Sequence, residues 1–220
     1  MDNILNYHPT KQKTIANINL KYNRYYDVLP YDDNIVKLSN NKYINASWIY
    51  DDLCIATQGP LVTTIMDFWQ MIIDTKCQLI VMLTNCYDNN IEKCCQYWSF
   101  NIPNVKLINI YHLNNIILRI FIANNKIINH IQYIGWVDRG IPSSKNEIYH
   151  LIDIIDRFKG NHPFIIHCSA GVGRTGVILT LYEFYRKKTK KIDQIIYELR
   201  NQRDHMVQNI EQYNFVKSFE

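Results

Sequence analysis

A mixed α/β fold, in which helices flank one mixed central sheet, is predicted from three features of the sequence. Two short apolar runs, at 78–84 and 164–168, are typical of strands buried on both faces. Residues 105–135 alternate β-branched and polar side chains, which indicates antiparallel strands. Helical spacing recurs without a strict strand–helix–strand rhythm, so both kinds of strand pairing are expected in a single domain spanning 1–220.

Local signals predict the individual elements. The strand at 164–168 follows a turn-like segment, Gly160-Asn-His-Pro163. Asn pairs at 114–115 and 124–125 predict the turns of the antiparallel meander, because Asn tolerates turn conformations. Helices are predicted where apolar residues recur at helical spacing, at 64–74, 147–158, 176–187, 192–200 and 210–219.

Composition excludes several classes of function. The 220 residues are 47% hydrophobic and 20% charged, which is enough for one sizeable core. A net charge of +4 suits an anionic substrate but is too small for a nucleic-acid partner to be expected. With no secretory signal and no long apolar run, a cytoplasmic protein without a membrane partner is expected. The six cysteines show neither zinc nor disulfide spacing and are expected to be free thiols.

The segment 167–176, His-Cys-Ser-Ala-Gly-Val-Gly-Arg-Thr-Gly, joins a predicted buried strand to a predicted helix. Gly171 and Gly173 let the backbone curl so that amide N–H groups point inward, and the helix start adds further N–H donors. Such donors form an anion site of phosphate size. Cys168 lies at its mouth, where positive surroundings favour the thiolate, and Arg174 offers a planar fork to two phosphate oxygens. The segment therefore predicts a nucleophile placed for phosphoryl transfer.

A structural cysteine in a Gly-rich strand-to-helix turn is the alternative interpretation of this segment. Cys168, Gly171, Arg174 and Thr175 match the spacing C-x-x-G-x-x-R-[ST], which favours the phosphate loop.

The segment 167–176 resembles the signature motif of the protein tyrosine phosphatases, most closely the phosphotyrosine-specific branch. The resemblance implies a highly twisted mixed sheet and a two-step reaction through a cysteinyl-phosphate, without a metal or other cofactor. It implies that His167 tunes the thiolate of Cys168 and that Thr175 assists breakdown of the intermediate. The loop residues implied to bind the phosphate are Ser169, Ala170, Gly171, Val172 and Gly173.

A general acid is expected because phenolate is a poor leaving group. The segment 136–142, Trp-Val-Asp-Arg-Gly-Ile-Pro, resembles the family's mobile acid loop, which implies that Asp138 is the acid in the first step and the base in the second. Val137 stands where the family has proline, which shifts the expected balance between open and closed loop. The alternative is that Asp138 is an ordinary turn residue.

Two further segments resemble parts of the family's active site. The segment 203–215 resembles the glutamine loop, in which Gln208 would orient the attacking water with Gln212 close by. Taken alone, glutamines spaced by four residues are an ordinary solvated helix face.

The segment 21–28 resembles the motif that forms the wall of the phosphotyrosine pocket. Tyr25 would stack on the substrate ring, Asp27 would accept from the substrate backbone, and Val28 would line the pocket opposite Gln208. The alternative is that these tyrosines merely reflect a chain with 16 of them.

Supporting matches to the family occur at 42–47, 56–60, 67–69 and 93–98, in the family's order. Lys93 is expected near the acid loop, and Asp88 stands where a glutamate usually braces the signature arginine. The resemblance spans 21–217, so the family's first and last helices are expected to be trimmed. Composition and length also resemble tyrosine phosphatases carried by insect viruses, of the bracovirus type, which would place the protein in the host cytoplasm.

Three alternatives to an active phosphotyrosine phosphatase stay open. An impaired member would bind phosphotyrosine proteins without hydrolysing them, and Val137 and Asp88 are the departures that support it. An enzyme for phosphoserine, phosphoinositide or RNA 5′-phosphates is disfavoured by the Tyr25 motif. A redox sensor is the third, although oxidation of Cys168 also follows from its thiolate character. The expected partners are phosphotyrosine-containing proteins, and the expected state is a monomer.

Overall fold

The computed structural model describes residues 2–99, 101–136, 140–142 and 144–220. Within them, a seven-stranded sheet consists of β1 (Ala46–Ile49), β2 (Cys54–Thr57), β3 (Leu79–Met82), β6 (Val105–Leu113), β7 (Ile116–Ala123), β8 (Lys126–Tyr133) and β9 (Phe164–His167). A separate ribbon pairs β4 (Tyr87–Asp88) with β5 (Ile91–Glu92). The helices are α1 (Asp2–Leu5), α2 (Thr14–Asn17), α3 (Ile65–Asp74), α4 (Lys145–Phe158), α5 (Gly173–Arg186), α6 (Ile192–Gln202) and α7 (Ile210–Lys217), with 3₁₀ turns at Leu20–Tyr22 and Val62–Thr64.

The sheet is mixed, as the sequence predicts. Its strand order is β1-β2-β9-β3-β8-β7-β6. The four central strands β2, β9, β3 and β8 are parallel neighbours. At the margins, β1 pairs antiparallel with β2, and β7 pairs antiparallel with both β8 and β6. The carboxyl ends of the central strands therefore meet at one edge of the sheet, where open α/β sheets bind their ligands.

Both Asn pairs form the turns predicted for the meander β6-β7-β8. Asn114, Asn124 and Asn125 have φ angles of 48°, 45° and 61°. Two consecutive left-handed residues at 124–125 fit a two-residue hairpin turn, which matches the twist of the strands it joins.

Alternate residues of the central strands face two different cores. In β3, Leu79 and Val81 pack with helices α4, α5, α6 and α7, whereas Ile80 and Met82 pack with α3 on the opposite face. Because strand side chains alternate between faces, a continuous apolar run is what a sheet covered on both sides requires. Helix α5 begins at Gly173, earlier than the predicted start at 176, because the end of the phosphate loop already has helical backbone. No helix in the described part of the chain is long and apolar enough to cross a membrane.

Candidate active site

The candidate site lies at the carboxyl ends of the central parallel strands. Cys168 directly follows β9, and Leu83 and Thr84 follow β3, the neighbouring strand. The amide of Leu83 donates to the carbonyl of His167 at 2.8 Å, which extends the pairing to the mouth of the loop. The parallel pairing of β9 and β3 therefore places Cys168 beside Leu83 and Thr84.

The phosphate loop, residues 168–174, curls back toward the cysteine. The Gly171 N–H donates to Cys168 Sγ at 3.3 Å. Gly171 has a φ of +74°, and a Cβ there would lie 2.1 Å from the Thr57 carbonyl oxygen. Only glycine meets both conditions, since it alone lacks a Cβ and adopts positive φ without penalty.

The environment of Cys168 favours its thiolate. Burial acts to raise the pKa, but the hydroxyl and amide of Thr175, the charge of Arg174 and the amide of Gly171 together lower the thiol pKa below its usual value. The Thr175 oxygen is fully buried and makes no regular hydrogen bond to an oxygen or nitrogen of the described residues. Its proton is therefore available to the sulfur or to a phosphate on it.

Several groups among the described residues hold Arg174 at the floor of the site. Its Nη1 donates to the Leu83 carbonyl at 3.1 Å and to Thr84 Oγ1 at 3.3 Å. Its Nη2 lies 3.6 Å from Asp88 Oδ2, so the shorter acid still forms an ion pair with the arginine. The Trp136 ring centroid lies 6.0 Å from the guanidinium carbon. These contacts hold the Arg174 guanidinium beside the phosphate loop.

A cavity of about 450 Å³ opens above the loop. It is lined by Tyr25, Asp27, Val28, Thr84, Asp88, Lys93, Cys168, Ser169, Ala170, Gly173, Arg174, Gln208, Asn209 and Gln212. Three motifs far apart in sequence are thereby brought around one sulfur: the segment 21–28, the phosphate loop and the glutamine segment 203–215.

The pocket wall is tied to the loop through Tyr25. Its hydroxyl lies 2.8 Å from Ser169 Oγ, which itself donates to the Lys93 carbonyl at 2.8 Å. A serine hydroxyl has one proton, so the Tyr25 O–H is the donor in the first contact. Tyr25 is half-buried and Asp27 is exposed, while Val28 is buried at the base of the wall.

The two glutamines lie against the helix start. Gln212 Oε1 accepts from the Gln208 amide at 2.9 Å, and Gln212 N–H donates to the cap residue Asn209. A Cβ on Gly173 would lie 3.0 Å from Gln212 Nε2 and 3.2 Å from Gln208 Oε1. Absence of a side chain at Gly173 lets both amides approach the loop.

Other predicted residues lie behind the cavity wall. His167 is fully buried, its Nδ1 lies 3.0 Å from the Cys168 carbonyl oxygen, and burial lowers its pKa to about 4. Val172 is also fully buried and accepts the Val207 amide at 3.2 Å.

Asp138, the predicted general acid, lies outside the described residues, as do Val137 and Arg139. The flanks of the acid loop are described. Trp136 Nε1 donates to the Gly140 carbonyl at 2.9 Å, and Trp136 pairs with Pro142 in an isolated bridge.

Two arginines to which the sequence assigned no role, the fully buried Arg203 and the partly buried Arg24, hold the site together. Arg203 donates to the carbonyls of Ala170 and Gly171 at 3.1 and 3.0 Å, and burial lowers its pKa to about 10. Arg24 donates to the carbonyls of Gly59 and Pro60, beside the loop. No sequence signal separates such arginines from solvated ones, since Arg is usually exposed.

One group among the described residues, His8, Asp204 and His205, has the composition and spacing of a metal site. The Lys13 ammonium already pairs with Asp204 Oδ2 at 3.0 Å, and Arg200 adds a second positive charge nearby. A dication would be repelled there, so we assign no metal to this cluster.

Comparison with known proteins identifies the family to which this fold belongs. The family model for the protein-tyrosine phosphatases matches residues 19–219. The chain superposes on the crystal structure of the catalytic domain of human protein tyrosine phosphatase non-receptor type 18 with a TM-score of 0.87 and 31% identity, covering 94% of this chain and 88% of that one. This chain belongs to the protein-tyrosine phosphatase family.

Two relatives show how far the similarity extends. Rat tyrosine-protein phosphatase non-receptor type 20 is 36% identical over 218 residues, which are 88% of this chain and 52% of that protein. The chain thus spans about half the length of this relative. Rat phosphatidylinositol phosphatase PTPRQ is 33% identical over 222 residues, which are 88% of this chain and 10% of that protein.

Proposed function

We propose that residues 1–220 form a single catalytic domain that hydrolyses phosphotyrosine in proteins through a cysteinyl-phosphate. One observation carries the proposal. A buried cysteine with a lowered thiol pKa lies at the base of a cavity whose walls carry an arginine fork and a tyrosine ring. A thiolate beside a guanidinium and inward-facing amides is suited to attack phosphorus.

In the first step, Cys168 Sγ attacks the phosphorus and the bond from phosphorus to the tyrosine oxygen breaks. Arg174 and the amides of the phosphate loop bind the equatorial oxygens as charge develops on them. Asp138, in its acid form, gives its proton to the departing phenolate. The products are neutral tyrosine and a phosphate esterified to sulfur.

In the second step, water attacks the same phosphorus and the bond from phosphorus to sulfur breaks. Gln208 and Gln212 orient the water, and the Asp138 carboxylate takes its proton. The Thr175 hydroxyl donates to the departing thiolate. Inorganic phosphate leaves and the free thiolate is restored, so the cycle consumes one water and needs no cofactor.

Selection for phosphotyrosine is supported by the residues that line the cavity above Cys168. Tyr25 bridges to Ser169 beside the sulfur, and Val28 closes the base. A planar phenyl ring reaches the thiolate between such walls, whereas the shorter phosphoserine does not. The similarity to a phosphatidylinositol phosphatase makes phosphoinositides the second candidate substrate.

An impaired, phosphotyrosine-binding protein is the alternative within the family. The ion pair of Arg174 with Asp88 removes one reason for it, because the shorter acid still reaches the arginine. Val137 is the remaining reason. The cytoplasmic location, monomeric state and insect-virus source stay predictions.

The first experiment measures hydrolysis of a phosphotyrosine peptide by the wild type, Cys168→Ser and Asp138→Ala. Wild-type turnover should be lost in Cys168→Ser and slowed by about 10²- to 10⁴-fold in Asp138→Ala. Phosphoserine peptide and a phosphoinositide serve as competing substrates. Tight phosphotyrosine binding without wild-type turnover would establish the binding protein instead, and preferred turnover of the phosphoinositide would establish the lipid phosphatase.

A further inference from the structure

A chain of buried polar contacts links Arg119, in β7, to the phosphate loop. Arg119 Nη1 lies 3.3 Å from Nδ1 of His130, its partner on β8, and His130 Nε2 lies 2.7 Å from the Tyr97 hydroxyl. The same hydroxyl lies 2.9 Å from His167 Nε2, and His167 Nδ1 lies 3.0 Å from the Cys168 carbonyl oxygen. Tyr97, His130 and His167 are all fully buried.

Donor and acceptor chemistry gives the chain one direction. Both imidazoles are neutral, because burial lowers the pKa of His167 to about 4, and burial with the charge of Arg119 holds that of His130 well below its usual value. A neutral imidazole has one donor and one acceptor nitrogen, whereas a guanidinium only donates. His130 therefore accepts at Nδ1 and donates from Nε2 to Tyr97.

The remaining links follow from the same rule. The Tyr97 oxygen accepts the hydrogen bond from His130, and the Tyr97 hydroxyl donates its single proton to His167 Nε2. Because His167 Nε2 is an acceptor, the proton of the neutral His167 ring is on Nδ1. That proton is donated to the Cys168 carbonyl, which can only accept. Arg119 at one end can only donate, and the Cys168 carbonyl at the other end can only accept, so both ends require the same direction of donation. Each hydrogen bond polarises the next one in the chain.

The second proton of the same Nη1 leads toward Arg174. Arg119 donates to Gln132 Oε1 at 2.9 Å, and Gln132 Nε2 donates to the Thr84 carbonyl at 3.0 Å. Thr84 in turn accepts from Arg174 through its hydroxyl. The Arg119 guanidinium lies 4.2 Å over the Trp98 ring centroid. Hydrogen bonds connect it to the Cys168 carbonyl by one route and to Arg174 by the other.

We propose that Arg119 is a positioning residue for the phosphate loop: it heads a one-way chain of hydrogen bonds through His130, Tyr97 and His167 and strengthens the bond donated to the Cys168 carbonyl. That carbonyl is confined on its other side, since a Cβ on Gly59 would lie 2.9 Å from its oxygen. Fixing this peptide unit fixes the start of the loop whose Gly171 amide donates to Sγ.

The wild type gives the first test. Nitrogen-15 chemical shifts of the imidazoles distinguish a protonated ring nitrogen from an unprotonated one. His130 should be protonated only on Nε2 and His167 only on Nδ1, and either opposite tautomer would overturn the proposal. This measurement needs no variant and no substrate, so its failure is distinct from failure of the proposed phosphatase function, on which the consequence for catalysis rests.

Variants test whether Arg119 acts through the chain. In Arg119→Met, the His167 Nδ1–H proton should move upfield as its hydrogen bond weakens, and alkylation of Cys168 at neutral pH should slow by about threefold. Arg119→Lys keeps a donor and should restore much of both signals. Arg157→Met, at an exposed position in α4, is the control and should change neither.

The decisive comparison uses Tyr97→Phe, which removes one oxygen from the middle of the chain. In that background, adding Arg119→Met should leave the His167 Nδ1–H proton without further change, because the link between Arg119 and His167 is already broken. The proton shift is the readout, since the contacts through Gln132 and Thr84 still connect Arg119 to Arg174. An equal shift of the His167 proton on Arg119→Met with and without the Tyr97 hydroxyl would show that Arg119 does not act through this chain and would refute the positioning role.

Discussion

At the scale of single residues, the reactivity of Cys168 depends on hydrogen bonds more than on a neighbouring charge. Its burial alone would raise the thiol pKa, and the hydroxyl and amide of Thr175 oppose this more strongly than the charge of Arg174 does. The amide of Gly171 adds a further donor. In the proposed mechanism, Arg174 therefore serves chiefly as the fork that binds phosphate oxygens.

Gly171→Ala should abolish the loop conformation and lower the free energy of unfolding by about 3 kcal/mol or more. The added Cβ meets a positive φ and a carbonyl oxygen 2.1 Å away. Gly160→Ala is the matched control, since Gly160 also has positive φ (+59°) but its nearest contact would lie 3.7 Å away. The control should lose only about 1 kcal/mol. Urea denaturation measures both, and equal losses would mean that the close approach to Thr57 is unimportant.

At the scale of elements, strong periodic patterns made most of the fold predictable. The buried strands β3 and β9, the meander β6-β7-β8 and helices α3 to α7 all lie where the sequence predicts them. The strand pair β1-β2 has no comparable periodic pattern. Each strand has four residues, and their turn has positive φ at Tyr50, Asp51 and Asp52, which carry no glycine or asparagine signal.

The meander turn at 124–125 allows a test of local conformation. Asn125 has a φ of 61°, so Asn125→Gly should raise the free energy of unfolding by up to about 1 kcal/mol, because Asn-Gly suits this turn type. Asn125→Ala should lower it by about 1 kcal/mol, since alanine resists positive φ. The urea concentration at the midpoint of unfolding measures both changes, provided that the dependence of the unfolding free energy on urea stays the same. Destabilisation by glycine would mean that the Asn125 side chain contributes more than the backbone.

The candidate site was predictable only where its residues form local motifs. The phosphate loop, the wall segment 21–28 and the glutamine segment 203–215 are contiguous in sequence and were recognised. Arg203 was assigned no role because its partners Asn45 and Ser47 come from a remote segment that the sequence does not place beside it. Arg119 lies opposite His130 in the predicted meander, but the sequence does not show that this pair is buried against Tyr97. Burial of a charged side chain is a property of the assembled core.

At the scale of the whole molecule, six thiols share one chain but only one has a lowered pKa. Burial raises the pKa of Cys77 to about 12 and of Cys86 to about 11. It also raises the pKa of Cys54, Cys94 and Cys95. The fold therefore directs electrophiles to the candidate nucleophile.

Iodoacetamide at pH 7 should modify Cys168 well before the other cysteines, because only the thiolate reacts. As pH rises through the lowered pKa, its alkylation rate should increase and then level off below the ordinary thiol range. Peptide mass spectrometry measures the modified sites, with Cys168→Ser as control. Labelling of Cys86 at a similar rate in the folded protein would contradict the expected selectivity.

The same lowered pKa links Cys168 to stability. The thiolate stabilises the folded chain at pH values above the unfolded thiol pKa, and this contribution disappears as pH falls through the lower folded value. The difference in unfolding free energy between the wild type and Cys168→Ser should therefore shift in favour of the wild type as pH increases across that window.

The left-handed turns have a consequence at the level of the gene. Among the described residues, positive φ occurs at Asn41, Asn89, Asn90, Asn104, Asn114, Asn124 and Asn125, while the whole sequence contains 7 glycines. Every glycine codon begins with two guanines, and both asparagine codons begin with two adenines. By placing asparagine in many of its turns and keeping glycine mostly where a Cβ would collide, this fold can be encoded in DNA that is poor in G and C.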